Sequence, residues 1–306
     1  MNYFIAIFVF CVVLFLYLHI YYHLKTSNDL EVYTIEKPSK NKLEEICDIR
    51  QPIIFEFLNN KLLETCDLAS LDDNYGVFDI KLRDTQQTDD NSELYLPFLF
   101  KEAIKVFQND DKSKYITENN MEFLEETGAI KNFKYNDSFL RPPMVSKCIY
   151  DLWSGSINSY TPLRYNLEHR TFLYLTSGKA KLKLIPPIKS RYLNKQSDYN
   201  NFEFSSPINP WNVQEEYKAN FDKVKVLDID LVPGFIVFIP AYWWFSIEYT
   251  ELSSICVFKY RTYMSTLSTL PHILLSLLQK QNIKKELVKK FDVFNTESLQ
   301  PIVAEK

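Results

Sequence analysis

The chain has 306 residues, 46% of them apolar, enough for one large domain or two modest ones with a buried core. Its formal net charge of -4 gives no general attraction to nucleic acid or to an anionic membrane surface, so nucleic-acid binding is set aside. Five cysteines (Cys11, Cys47, Cys66, Cys148 and Cys256) stand apart with no CxxC or CxxxC spacing, which argues against a disulfide framework and against a zinc site.

Residues Tyr3 to Tyr22, "YFIAIFVFCVVLFLYLHIYY", run for 20 residues without an acid, Lys or Arg. As a helix at 1.5 Å per residue they cover about 30 Å, the thickness of a hydrocarbon core. A cleaved signal peptide would carry a basic start and a small-residue cleavage site, and a buried core helix would show a polar face. The pattern has none of these, and the expectation is a single-pass transmembrane anchor at 3–22. Tyr17, Tyr21 and Tyr22 gather at the end where amphipathic rings favour the headgroups. No Lys or Arg precedes the span, whereas Lys25, Lys37, Lys40 and Lys42 follow it, which predicts a cytosolic bulk domain.

A polar linker at 23–32 leads into an α/β part at 33–148. "YTIEKPSKNKLEEICDIRQPIIFEF" reads as strand, helix, strand, with Ser39 capping a helix through Cys47 and Pro52 opening the next apolar run. Further on, "GVFDIKL" reads as a strand, "DTQQTDDNSE" as a solvated loop, "LPFLFKEAIKVFQ" as a helix and "NNMEFLEETGAI" as another ending near Gly128. The acidic pairs Asp72-Asp73 and Asp89-Asp90 read as solvated loops.

From 149 to 265 short apolar segments bounded by turns predict a compact antiparallel β-structure. "RTFLYLTSGKAKLKLIPP" reads as a hairpin about Ser177-Gly178, and "VLDIDLVPGFIVFIPAYWWFSIEY" as another about Pro233-Gly234. In the second, Tyr242, Trp243, Trp244 and Phe245 are expected to be core, alternating across the strand. The remainder, 266–306, is a helical tail from Pro271 to Phe291, suited to covering a barrel end or to forming a homodimer.

These segments, in order across 33–265, resemble the JmjC-related cupin-like family of iron(II) and 2-oxoglutarate oxygenases. "LWSG" followed by "SYTPLRYN" resembles the strand that carries the first two metal ligands. "GKAKLKLIPP" resembles the strand after it, and "VLDIDLVPGFIVFIPAYWWFSIE" the segment with the third ligand. The resemblance implies a mainly β fold with helical additions, a double-stranded β-helix (cupin or jelly-roll) barrel. It also implies a facial triad of two histidines and a carboxylate that holds iron(II) and leaves positions open for 2-oxoglutarate and oxygen.

Carried over residue by residue, the triad is replaced throughout. The first histidine falls on Arg164, a cation without a lone pair for a metal; the carboxylate falls on Asn166; the second histidine falls on Phe245. The family's basic residue for the 2-oxoglutarate carboxylate falls on Ala180, while Thr161 matches a threonine that contacts the co-substrate in some members. Lys179 and Lys181 flank Ala180 and are expected on the opposite face. His169, five residues beyond Arg164, is read as an exposed or hydrogen-bonded residue.

A buried Arg164 needs a partner, and Asp151 and Glu248 are the candidates by sequence proximity. Two readings of Arg164 stay open: a structural ion pair, or a receptor for an anionic ligand. The expectation is therefore a membrane-anchored cupin-like protein with no catalytic residue, no metal and no cofactor, serving as a binding module or scaffold with a protein or peptide partner. The alternatives are an active 2-oxoglutarate-dependent protein hydroxylase with an atypical site, and a structural membrane or virion component.

Overall fold

The computed structural model describes residues 2–86 and 94–281. A 23-residue helix, α1 (Asn2–Leu24), stands at the N-terminus, and none of its residues from 3 onward is buried. The strand β1 (Tyr33–Ile35), the helix α2 (Lys40–Cys47) and the strand β2 (Ile53–Glu56) follow, with β1 and β2 parallel. Ser39 caps α2 by accepting from the Lys42 N–H at 3.3 Å, and Leu43, Ile46 and Cys47 are its buried face.

Next come α3 (Asn60–Thr65), α4 (Leu68–Tyr75), β3 (Asp79–Asp84), β4 (Leu96–Leu99), α5 (Phe100–Gln108), β5 (Tyr115–Thr117), α6 (Met121–Glu126) and α7 (Ile130–Asn136). Two expectations change here. Leu96–Leu99 is not helical but pairs with β3, so the apolar run "LPFLF" splits between strand and helix. Asp72-Asp73 lies within α4 and not in a loop, while Asp89-Asp90 falls outside the described residues.

The β-rich part contains β6 (Val145–Gly155), β7 (Arg164–Tyr165), β8 (Arg170–Ser177), β9 (Ala180–Ile185), β10 (Gln196–Asp198) and β11 (Glu203–Ser205). After α8 (Glu215–Phe221) come β12 (Leu227–Leu231), β13 (Phe235–Pro240), β14 (Trp244–Tyr249) and β15 (Ser254–Thr262). Then follow α9 (Tyr263–Ser268), capped by Thr262 and Ser265, and a helix over 270–281, here α10. The part of the expected tail helix from 282 to Phe291 lies outside the described residues.

Within the described residues the strands form a nine-stranded sheet, β1-β2-β13-β8-β15-β6-β5-β3-β4, and a six-stranded sheet, β10-β11-β7-β14-β9-β12. Both expected hairpins are corrected by this order. β8 pairs with β13 and β15, while β9 pairs with β12 and β14, so the chain crosses between sheets at Gly178. β12 and β13 likewise belong to different sheets, and the turn at Pro233-Gly234 is a crossover too. Period-two patterning reports which faces are buried, not which strand is the partner.

The burial follows from the layers. On β8, Leu173 and Leu175 face the space between the sheets, and Phe172 and Tyr174 face the helical layer with Phe55, Phe133 and Phe258. The central stretch Phe172–Leu175 is therefore apolar on both faces, and the whole strand is buried except at Ser177. On β9 only Ala180, Leu182 and Leu184 face inward, and Lys181 is exposed. Each of these large side chains contributes about 1.5–3 kcal/mol by leaving water.

Candidate functional site

Arg164 and Phe245 are direct cross-strand partners on β7 and β14, so their side chains share the face that looks between the sheets. Phe245 is fully buried and stacks on Trp153, with ring centroids 6.2 Å apart and an interplanar angle of 11°. The Arg164 guanidinium sits 5.0 Å from the Trp153 ring centroid and 5.6 Å from that of Phe245. Trp243 joins Phe245 in the inter-sheet core, whereas Trp244 turns to the other face against Tyr165. The expected alternation of this aromatic run is present, with both faces covered.

The partner of Arg164 is Glu118, not Asp151 or Glu248. Glu118 is buried and also accepts from Arg83 at 2.9 Å and from the Tyr95 hydroxyl at 2.8 Å, while Arg83 makes two further contacts to Glu203 at 2.8 and 3.2 Å. Burial alone would raise the Glu118 carboxyl, but the two guanidiniums outweigh it and hold the group well below the usual carboxylate range. The anion that Arg164 faces is thus supplied by the chain itself.

Asp151 acts one step away. Its carboxylate accepts the backbone N–H groups of Asn119 and Asn120 at 2.9 and 2.7 Å and the Trp153 indole N–H at 2.6 Å. These bonds anchor the turn at Asn119, whose φ is 61°, and that turn follows Glu118 directly. Glu248 lies on the opposite face of β14 from Ile247 and Tyr249 and, among the described residues, has no ion-pair partner.

The remaining mapped positions are occupied by structural contacts. The Asn166 carbonyl accepts from the Tyr242 N–H at 2.9 Å, and its side-chain amide donates to Thr171 at 3.4 Å. The Thr161 hydroxyl accepts from the Ile247 N–H at 2.9 Å, and its carbonyl accepts from the Ser246 hydroxyl at 2.6 Å. Ala180 is buried between Leu231 and Tyr249 in register. Among the described residues no three His, Cys, Asp or Glu side chains converge as a metal site would require. His169 is not exposed and, among the described residues, has no side-chain hydrogen bond: it is partly buried, and its ring meets that of His23 edge-on at 5.3 Å.

Sequence proximity did not find Glu118 because it is 46 residues from Arg164 and reaches the site directly after β5, a three-residue strand between β6 and β3 placed by the pairs Ile116–Gly155 and Thr117–Ser154. It also did not single out Lys259 and Arg261. The sequence signal was available, since both continue the inward positions Ile255 and Val257 of β15 out to the mouth of the sandwich.

Two sheets packed face to face, with the mapped positions on adjacent strands β7 and β14, define a cupin-like protein. The chain belongs to the family described as the cupin-like domain, which matches residues 38–262. It is similar to HSPB1-associated protein 1 of Rattus norvegicus, Bos taurus and Homo sapiens, 26% identical in each case over 98 residues, 32% of this chain and 20% of the relative. The matched region thus spans about a fifth of those relatives' length.

Proposed function

We propose that this protein is a membrane-anchored cupin-like module that works by binding a partner and does not carry out iron and 2-oxoglutarate chemistry. The Arg164–Glu118 pair carries this reading. A guanidinium occupies the first ligand position and is neutralised internally, an amide stands in for the carboxylate, and the Phe245 ring fills the third position against Trp153. Iron(II) in this family takes two imidazoles and a carboxylate, and the residues present do not fit that set. The co-substrate positions support the same conclusion, since Ala180 offers no charge and the Thr161 hydroxyl is committed to Ile247.

Tyr3–Leu24 is long and apolar enough to cross a membrane, and its exposed apolar surface supports the anchor. Lys25, Lys37, Lys40 and Lys42 after the span favour a bulk domain on the cytosolic side. A protein partner is in keeping with the name of the relatives, which describes them as associated with HSPB1. The test is 2-oxoglutarate turnover by the purified chain supplied with iron(II) and ascorbate. The expected result is succinate release no faster than in protein-free controls; turnover lost on Arg164→Ala would overturn the proposal.

A further inference from the structure

Beside the Arg164 network the mouth of the sandwich opens into a cavity of about 370 Å³, roofed by α10. Its charged lining is Lys147, Lys259, Arg261 and Lys280 against a single carboxylate, Glu168. That carboxylate is already taken, because Arg261 Nη2 donates to it at 2.8 Å. Arg261 Nε is buried with no partner among the described residues.

Lys259 lies over the Trp153 ring, with Nζ 5.0 Å from the centroid, and has no ion-pair partner among the described residues. The carboxylate of Asp151, whose charge acts on the same region, is occupied by the turn at Asn119. Arg261 and Lys147 are direct cross-strand partners on β15 and β6, facing the same cavity. Like charges at such a position destabilise a sheet, and an anion between them reverses the sign of that term.

We infer that this cavity binds a phosphomonoester, either free in solution or as a lipid headgroup, with its phosphate among Lys147, Lys259 and Arg261. Cations arriving from separate strands suit a tetrahedral phosphate, and lysine acts toward it as a point charge. The rings of Phe202 and Phe204 with Leu277 of α10 supply an apolar wall for the organic part. None of the mapped co-substrate positions, Thr161 and Ala180, lines this cavity. The inference names a ligand class for the binding module proposed above. Iron content is measured separately, so loss of the anion site would leave the non-iron reading standing.

The test is isothermal titration of the full chain in detergent with phenyl phosphate, and in a second arm with phosphatidic acid in mixed micelles. Saturable binding to phenyl phosphate supports a free phosphoester, and saturable binding to phosphatidic acid alone supports a headgroup. In either arm Lys259→Gln and the exposed Lys147→Gln are each expected to weaken binding about tenfold, the equivalent of one charge-assisted contact. Lys105→Gln, on the outer face of α5 and paired with Glu102, leaves it unchanged. Absence of saturable binding in both arms, or wild-type affinity in Lys147→Gln, overturns the inference.

Discussion

Glu118→Gln removes one charge and leaves the shape of the site almost unaltered, so its effect isolates the electrostatics around Arg164. Arg83 keeps Glu203 as a counter-ion at 2.8 Å, but Arg164, among the described residues, is left with no direct ion pair and sits against the faces of Trp153 and Phe245. Stranding a buried guanidinium in this way costs about 3–5 kcal/mol. For a domain of this size about 2–4 °C of melting temperature go with each kcal/mol, so a drop on the order of 10 °C is expected. Arg164→Met should cost less, because Glu118 retains Arg83 and the Tyr95 hydroxyl. The double variant should then be more stable than Glu118→Gln alone, since the stranded charge is gone. Differential scanning calorimetry on all four proteins provides the cycle. If Glu118→Gln shifts the melting point by only a degree or two and the two changes simply add, Arg164 does not depend on Glu118 and the reasoning fails.

Three further outcomes follow from other parts of the fold. Burial, with Arg170, His23 and Arg50 nearby, pushes His169 down to about 3, so the unfolded chain takes up a proton near pH 6.5 that the folded chain refuses. Stability should therefore fall as pH drops from 6.5 toward 5, and His169→Phe should flatten that part of a melting-temperature profile. Gly178→Ala should destabilise by more than about 2 kcal/mol in urea titrations, because φ is +78° and a Cβ there would meet the Leu252 carbonyl at 2.3 Å. Gly128→Ala, at φ +73° with open space around it, should cost only the backbone part of about 1 kcal/mol. The full chain should resist extraction from membranes by alkaline carbonate, while a chain lacking residues 2–24 should be released by it; release of both would exclude the anchor.

Much of the fold was legible in the sequence because burial leaves a periodic trace. The inward set Ala180, Leu182 and Leu184, the cap at Ser39 and the aromatic run to Phe245 are all local patterns, and the structure carries them. Strand pairing left no comparable trace. The turns at Gly178 and Gly234 look like hairpins, yet each carries the chain from one sheet to the other, since the true partners of β8 and β9 come from segments more than 40 residues away, beyond α8. β7 is two residues long and has no period to read, although it carries Arg164. At the site the mapped positions were readable one at a time, but the partner of Arg164 was not. Glu118 arrives from the end of the three-residue strand β5, and the residue chosen by proximity, Asp151, is spent on holding the turn that presents it.

The most direct test of the central claim is anaerobic titration of the purified full chain with iron(II), followed by desalting and elemental analysis. If Arg164, Asn166 and Phe245 replace the ligand set as proposed, no iron is retained above that of a non-metalloprotein handled in parallel, with or without 2-oxoglutarate. Near-stoichiometric iron that survives desalting, and is lost on changing Asn166, would contradict it.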